Sequence, residues 1–165
     1  MLKRSLLALV LLAACQPQTA PAPDAKPAEP APEQAGAPDM LKLTADEIPA
    51  DADAVKLTSP APGARVKSPL VVEGVVDSGW MFEGSFPVEL AANGQSIVMQ
   101  PGEQQAPDNW TKGGPVRFKA TLEFDVKTET PAVLILKEDM PKPKSDDSDE
   151  PGPARTLRIP VVLVP

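Results

Sequence analysis

The residue types of this chain limit the chemistry that it can perform. None of its 165 residues is His, and its single Cys is Cys15. These counts exclude a Ser-His-Asp or Cys-His triad, an imidazole metal site and an internal disulfide. Glu83 and Glu89 are a nominal carboxylate pair for glycoside hydrolysis, but their spacing does not favour that role over core and surface roles. We therefore expect no enzymatic activity and no cofactor.

An acidic run near the C-terminus offers the nearest approach to a metal site. Asp146, Asp147, Asp149 and Glu150 are flanked by prolines. Asp-x-Asp spacing can bind Ca²⁺, but the glycine and the distal Glu of an EF-hand loop are missing. We expect a solvated charge run, with Ca²⁺ binding as the alternative.

Aromatic residues are concentrated in one stretch, residues 78–90. Trp80, Phe82 and Phe86 lie within seven positions and make up half of the aromatic residues of the chain. Burial of a large aromatic side chain removes roughly 150–250 Å² from water. We therefore expect these three side chains to be mainly structural and to decide whether a core forms.

Two further residues are candidates for structural or interaction roles. Glu83 lies among the aromatic residues, where an ionised carboxylate needs hydrogen bonds or a cation. We expect it to accept backbone N–H groups or to pair with an Arg such as Arg117 or Arg65. Trp110 lies in a polar loop, where it either closes one end of the domain or forms an exposed stacking platform for a sugar or peptide.

The net charge of the chain argues against one class of partner. Its formal net charge is −7. An acidic surface repels phosphate backbones, so we expect no nucleic-acid partner.

The N-terminus, residues 1–14, has the pattern of a signal peptide. A short basic region precedes the apolar run Leu6–Leu12, which is too short to remain as a membrane-spanning helix. The run ends Leu-Ala-Ala-Cys, which resembles the lipobox of bacterial lipoproteins. That resemblance implies that Cys15 is lipidated and becomes the new N-terminus; an ordinary secretory signal is the alternative. Gln16, where Asp would imply inner-membrane retention, favours the outer membrane facing the periplasm if the organism has two membranes.

Residues 15–53 form a predicted tether and lead-in. Residues 16–38 are dominated by Ala, Pro and Glu and contain no Val, Ile, Leu or aromatic residue, so they cannot bury enough apolar surface to fold. A spacer is the expected role, and a Pro-rich ligand is the alternative. In the lead-in, Thr44–Glu47 matches a capping box, but Pro49 limits any helix to about one turn. We expect this lead-in to be loosely ordered.

From residue 54 to 165 the sequence alternates short strands with turn residues. Asn93-Gly94 is the strongest hairpin signal, and Pro87 argues for an edge strand or a bulge. No convincing helix is present. About seven strands fit an all-β, immunoglobulin-like antiparallel sandwich, with a small open barrel as the alternative. The predicted strands are Val55–Thr58, Pro69–Val76, Phe86–Ala91, Gln95–Gln100, Val116–Val126, Ala132–Leu136 and Thr156–Val164.

Several short motifs of this domain resemble one family. They are Leu57–Pro60, Gly63–Val66, Val72–Gly74, Trp80–Glu83 and Phe86–Val88. Together they resemble a family of bacterial immunoglobulin-like domains associated with sporulation and spore germination proteins, where the domain often accompanies a GerMN domain. The resemblance covers roughly residues 55–164. It implies an immunoglobulin-like fold, a place in the cell envelope and non-catalytic interaction.

These observations predict a lipid-anchored envelope protein that presents an interaction or scaffolding module. The membrane, reached through the N-terminal anchor, and a protein or peptidoglycan partner are the expected contacts, with sporulation, germination or envelope organisation as the process. The alternative is a protein that binds a small ligand, a glycan or Ca²⁺ through the Trp110 loop or the acidic loop 146–150. A pocket at Trp110 favours ligand binding, whereas an exposed apolar patch or an open edge strand favours a protein partner.

Overall fold

Two β-sheets pack face to face in the computed structural model, which describes residues 39–165. The predicted signal peptide, Cys15 and most of the predicted tether lie outside these residues. The described residues contain no apolar helix of membrane-spanning length.

Ten strands build the two sheets. Two single turns of 3₁₀ helix, Ser78–Trp80 and Trp110–Lys112, lie in the connections. The strands are β1 (Glu47–Pro49), β2 (Val55–Ser59), β3 (Arg65–Val66), β4 (Leu70–Asp77), β5 (Pro87–Ala92), β6 (Gln95–Pro101), β7 (Glu103–Gln104), β8 (Pro115–Leu122), β9 (Thr130–Lys137) and β10 (Ala154–Leu163).

The larger sheet has six strands in the order β1-β10-β9-β5-β6, with β3 also paired to β10. The smaller sheet has the order β2-β4-β8-β7. Neighbours pair antiparallel except β1 and β3, which both run parallel to β10. The predicted β-sandwich is confirmed, and the alternative of a small barrel is not.

All seven predicted strands are present, and the turn at Asn93-Gly94 joins β5 to β6 with positive φ at both residues, 53° and 75°. β8 ends at Leu122 rather than at Val126. Phe124 and Val126 still pack half-buried against the core, which explains why the alternation continues past the end of the strand. The additional strands β1, β3 and β7 have two or three residues each, too few for a readable pattern.

The lead-in differs from the expectation of loose order. The Thr44 backbone N–H donates to Glu47 Oε2 at 2.9 Å, as in half of a capping box, but no helix follows. Glu47–Pro49 instead pairs with the start of β10. Met40 and Leu41 pack on Ala91, Val133 and Ile135, on the face of the larger sheet that points away from the smaller one.

The core lies between the sheets. Trp80 and Phe86 pack edge to face with ring centroids 6.1 Å apart, and Phe86 meets Phe118 at 4.9 Å. Gly74 lies where strands crowd: a Cβ there would come 2.5 Å from the Lys56 carbonyl oxygen and 2.9 Å from the Phe118 ring. The largest fully buried side chains also include Leu90, Leu122, Leu134, Leu136, Leu163, Val72, Val76, Val88 and Val116.

Candidate functional site

Of the three predicted aromatic site residues, two lie in the core and one lies on the surface. Trp80 and Phe86 are fully buried. Phe82 is 44 % exposed, so the expectation that it belongs to the core is wrong. The reason is a tight turn: Phe82 and Ser85 exchange backbone hydrogen bonds of 3.0 and 3.1 Å, which directs the Phe82 side chain outward.

Glu83 occupies this turn. Its φ is 51° and that of Gly84 is 81°, the positive values of a type I′ turn. The predicted pairing with Arg117 or Arg65 is wrong, because Arg117 binds Asp108 at 2.8 Å and Arg65 binds Glu129. The Glu83 side chain is exposed, so the carboxylate remains hydrated and needs no partner.

Trp110 lies between its two predicted roles. The side chain is half-buried against the core, and its ring meets the Phe82 ring edge to face at 6.4 Å. Asn109 caps its short helical turn by accepting from the Thr111 N–H at 3.0 Å. Trp110 does not line the cavities of about 540, 380, 410 and 300 Å³ in the described part of the chain.

The acidic run forms a loop that is closed on itself. Pro143 and Pro151 form an antiparallel bridge, and Lys144 Nζ lies 3.2 Å from Glu150 Oε2. Asp146 and Asp147 are exposed. Within residues 39–165, no group of three or more His, Cys, Asp or Glu side chains is arranged to hold a metal ion.

The feature that stands out for function is the free edge of the larger sheet, strand β6. It is seven residues long and almost entirely exposed. Residues 95–100 include no charged residue and no Pro. Ile97 is 39 % exposed and Met99 is 55 % exposed. A long edge strand that carries no charge, and no Pro before its last residue, Pro101, presents unpaired backbone groups to any chain that approaches.

The other sheet edges in the described residues are protected. β2 carries Lys56, which pairs with Asp53 at 3.4 Å, and its ladder is interrupted by a bulge between Leu57 and Ser59. β7 has two residues. The outer side of β10 is covered at one end by β1 and at the other by β3. Only β6 therefore offers a full-length pairing edge in this part of the chain.

A groove of about 540 Å³ adjoins β6 on the outer face of the larger sheet. It is lined, among others, by Met99, Glu89, Ile135, Lys137 and Asp139. A second cavity of about 300 Å³ lies at the end of β6, and Met99 and Asp139 line both. We call β6 together with this groove the edge surface.

The aromatic core positions one wall of the edge surface. The Asp139 backbone N–H donates to the Trp80 carbonyl oxygen at 3.1 Å. The adjacent Glu138 is buried and binds Arg155 at 2.6 Å, and Arg155 lies 5.7 Å from the centre of the Trp80 ring. The loop that carries Asp139 is therefore held by the same Trp80 that organises the core.

An ion pair holds the opposite wall. Glu47 binds Arg158 through two nitrogens, at 2.8 to 3.2 Å, and the two side chains are 5 % and 12 % exposed. Arg158 Nη1 also donates to the Met40 carbonyl oxygen at 2.7 Å. Burial alone would raise the pKa of Glu47, but the hydrogen bonds from Thr44 and Arg158 and the Arg158 charge outweigh it and lower that pKa.

Comparison with known protein families matches residues 54–142 to Gmad2, the immunoglobulin-like domain of bacterial spore germination. The match covers more than half of the 165-residue chain. The chain belongs to this family. The Gmad2 match includes β2 to β9 and therefore both strands of the β5–β6 hairpin, whereas β10 lies beyond it. No curated protein matches the chain.

Ile97 and Met99 were not predicted as functional residues. The sequence places both in the second strand of the Asn93-Gly94 hairpin, but it does not identify that strand as an edge. One signal was available: residues 95–100 contain no charged residue, although about a quarter of the chain is charged. An uncharged strand is ordinary inside a sheet, so this signal becomes informative only when the strand order is known.

Proposed function

We propose that the protein is a non-catalytic, lipid-anchored protein of the bacterial cell envelope that binds a protein partner through the edge surface. Its Gmad2 domain acts as an interaction or scaffolding module in sporulation, germination or envelope organisation, of which the family description supports spore germination. The observation that carries the proposal is the exposed, uncharged strand β6, with Ile97 and Met99 on its surface.

The chemistry of the edge surface favours a polypeptide over a glycan. Backbone groups of an edge strand recognise another backbone, and neighbouring grooves take alternate side chains of the added chain. The groove beside β6 is lined by carboxylates, Lys137, Met99 and Ile135 and by no aromatic ring. The exposed aromatic side chain, Phe82, belongs to a separate loop.

Location in the envelope is supported by the N-terminal sequence. The motif that ends at Cys15 favours lipidation, and Gln16 favours the outer membrane facing the periplasm where two membranes exist. More than one acyl chain is needed for stable anchoring. In fractionated cells, the full-length protein is expected in the membrane and a Cys15→Ser variant in the soluble fraction. Membrane association of Cys15→Ser equal to that of the unaltered protein would contradict lipid anchoring.

In-cell chemical cross-linking of the full-length protein tests partner binding. We compare the unaltered chain with Met99→Lys, which adds a charge to β6, and with Thr58→Lys, which adds the same charge to the exposed side of β2. A protein adduct that is lost in Met99→Lys and retained in Thr58→Lys supports the proposal. An adduct that is retained in both variants, or one that peptidoglycan hydrolase dissolves, contradicts it.

A further inference from the structure

The free side of β6 determines how a partner can bind. Because β6 is bonded to β5 along one side only, about half of its backbone N–H and C=O groups point away from the sheet. An extended segment can satisfy these groups by adding itself as a further strand. This inference rests on the proposed function, since it names the kind of partner that the edge surface takes.

The register of the sheet shows what an added strand would meet. Met99 lies opposite Glu89, Glu89 lies opposite Ile135, and Ile135 lies opposite Arg158. These side chains form one row across the outer face. A strand added beside β6 extends this row. Its outward residue at that position contacts the exposed, apolar side chain of Met99. Strands are spaced about 4.8 Å apart, so a Lys or Arg on that strand can reach Glu89 two strands away.

The charges along the groove select a basic segment. Glu89, Asp139 and Asp46 line it, and in the described residues none of these three carboxylates has a Lys or Arg nitrogen within salt-bridge distance. Lys137 is the one cation in the same lining. Glu47 and Glu138, which also line the groove, are already neutralised by Arg158 and Arg155.

The same charges argue against a second copy of this chain. Two β6 strands could pair edge to edge, but β6 supplies no cation to the Glu89 and Asp139 of its neighbour. The net charge of −7 also makes two copies repel each other. A basic partner is attracted by the same field.

We propose that the edge surface binds an extended segment in which apolar residues alternate with Lys or Arg, and that this segment adds to the larger sheet as a strand beside β6. Its backbone pairs with β6. Its Lys or Arg residues take the outward positions, where their aliphatic stems cover Met99 and their charges meet Glu89 and Asp139. Its apolar residues point to the inner side, beside the half-buried Val98. Charge complementarity selects the segment, and the backbone bonds hold it.

Peptide binding to the full-length chain in detergent tests the proposal. The probes are seven-residue peptides, the length of β6: one alternates Val and Lys, and its counterpart alternates Val and Glu. We expect the basic peptide to bind at least about tenfold more tightly than the acidic one, with affinity falling as salt rises from about 50 mM to about 500 mM. Asp139→Asn is expected to lower the affinity for the basic peptide by about two- to fivefold, the size of effect expected from losing one exposed ion pair. Glu123 is an exposed carboxylate beyond the end of β8, and Glu123→Gln should leave the affinity for the basic peptide unchanged.

Hydrogen exchange locates the bound peptide without any variant. The basic peptide is expected to slow amide exchange at residues 95–100 and to leave residues 55–59 unchanged. Equal affinity for both peptides, or slowed exchange away from β6, overturns the proposal. A peptide-free chain that sediments as a dimer, and becomes a monomer in Met99→Lys, overturns it in favour of a second copy.

The two proposals fail separately. If a cross-linked protein partner depends on Met99 but is acidic at its contact, the proposed function stands and this inference fails. If no partner depends on Met99, the proposed function fails, whatever the peptides do.

Discussion

The ion pair between Glu47 and Arg158 offers the sharpest test of how the lead-in is held. Glu47 comes from β1 and Arg158 from β10, and the guanidinium also binds the Met40 carbonyl oxygen. Both side chains are nearly buried, at 5 % and 12 % exposure. We therefore expect Glu47→Gln to release residues 39–49 from the outer face of the larger sheet.

The magnitude follows from the contacts. Removal of one partner of a buried ion pair costs about 3–5 kcal/mol. Gln keeps one carbonyl oxygen that can still accept from Arg158, and a hydrogen bond to a charged group contributes about 1.5–3 kcal/mol. We expect a net loss of about 2 kcal/mol in the free energy of unfolding. Detachment of the lead-in limits the loss, because Met40 and Leu41 are only half-buried and full burial of such a side chain contributes about 1.5–3 kcal/mol.

Urea unfolding and hydrogen exchange of the full-length chain measure the two consequences. Glu47→Gln should lower the free energy of unfolding and speed amide exchange at residues 39–48. The matched control is Glu150→Gln, which breaks an exposed pair whose side chains are 55 % and 71 % accessible and should cost about 0–1 kcal/mol. If both variants lose the same small amount of unfolding free energy, and amide exchange at residues 39–48 is unchanged, the Glu47–Arg158 ion pair does not hold the lead-in.

Three further predictions follow from the described residues. The pKa of Glu47 is lowered in the folded protein, so the stability that its ionised form contributes is present above the ordinary value of 4.5 and is lost as pH falls through the folded-state pKa. Amide protection at residues 39–48, taken relative to the intrinsic exchange rate of an unstructured peptide at the same pH, should therefore fall over that acid range, and unchanged protection would contradict this. Gly74→Ala should lower the free energy of unfolding in urea by about 1–3 kcal/mol, because its Cβ would lie 2.5 Å from the Lys56 carbonyl oxygen. An unchanged free energy of unfolding would show that the strands can move apart at this position. Glu83→Gly should raise the melting temperature, since Glu83 has φ 51° and a left-handed residue costs about 1–2 kcal/mol; a lower melting temperature would reveal a contact of its carboxylate.

The sandwich was predictable because its long strands carry the pattern of their two faces. Residues 116–122 alternate strictly between core and solvent, and residues 132–136 are apolar throughout, as a central strand requires. Asn93-Gly94 determines the hairpin through positive φ at both positions. These signals are local, so no tertiary information was needed to read them.

The edge surface was not predictable because its parts meet only through tertiary pairing. Glu47 and Arg158 are 111 positions apart, and no local sequence pattern around either residue predicts that they pair. The exposure of Met99 depends on β6 being last in the sheet order, which no local pattern encodes. Phe82 was misplaced because the Glu83-Gly84 turn, which has the geometry of the Asn93-Gly94 turn, was not recognised.

Site-specific photo-cross-linking in cells measures whether the partner binds at β6. A photoreactive amino acid replaces Met99 on β6 in one full-length chain and Thr58 on β2 in another; both positions are exposed on edge strands. We expect a covalent protein adduct from position 99 and none from position 58. Adducts from position 58 alone, or equally from both, would contradict it.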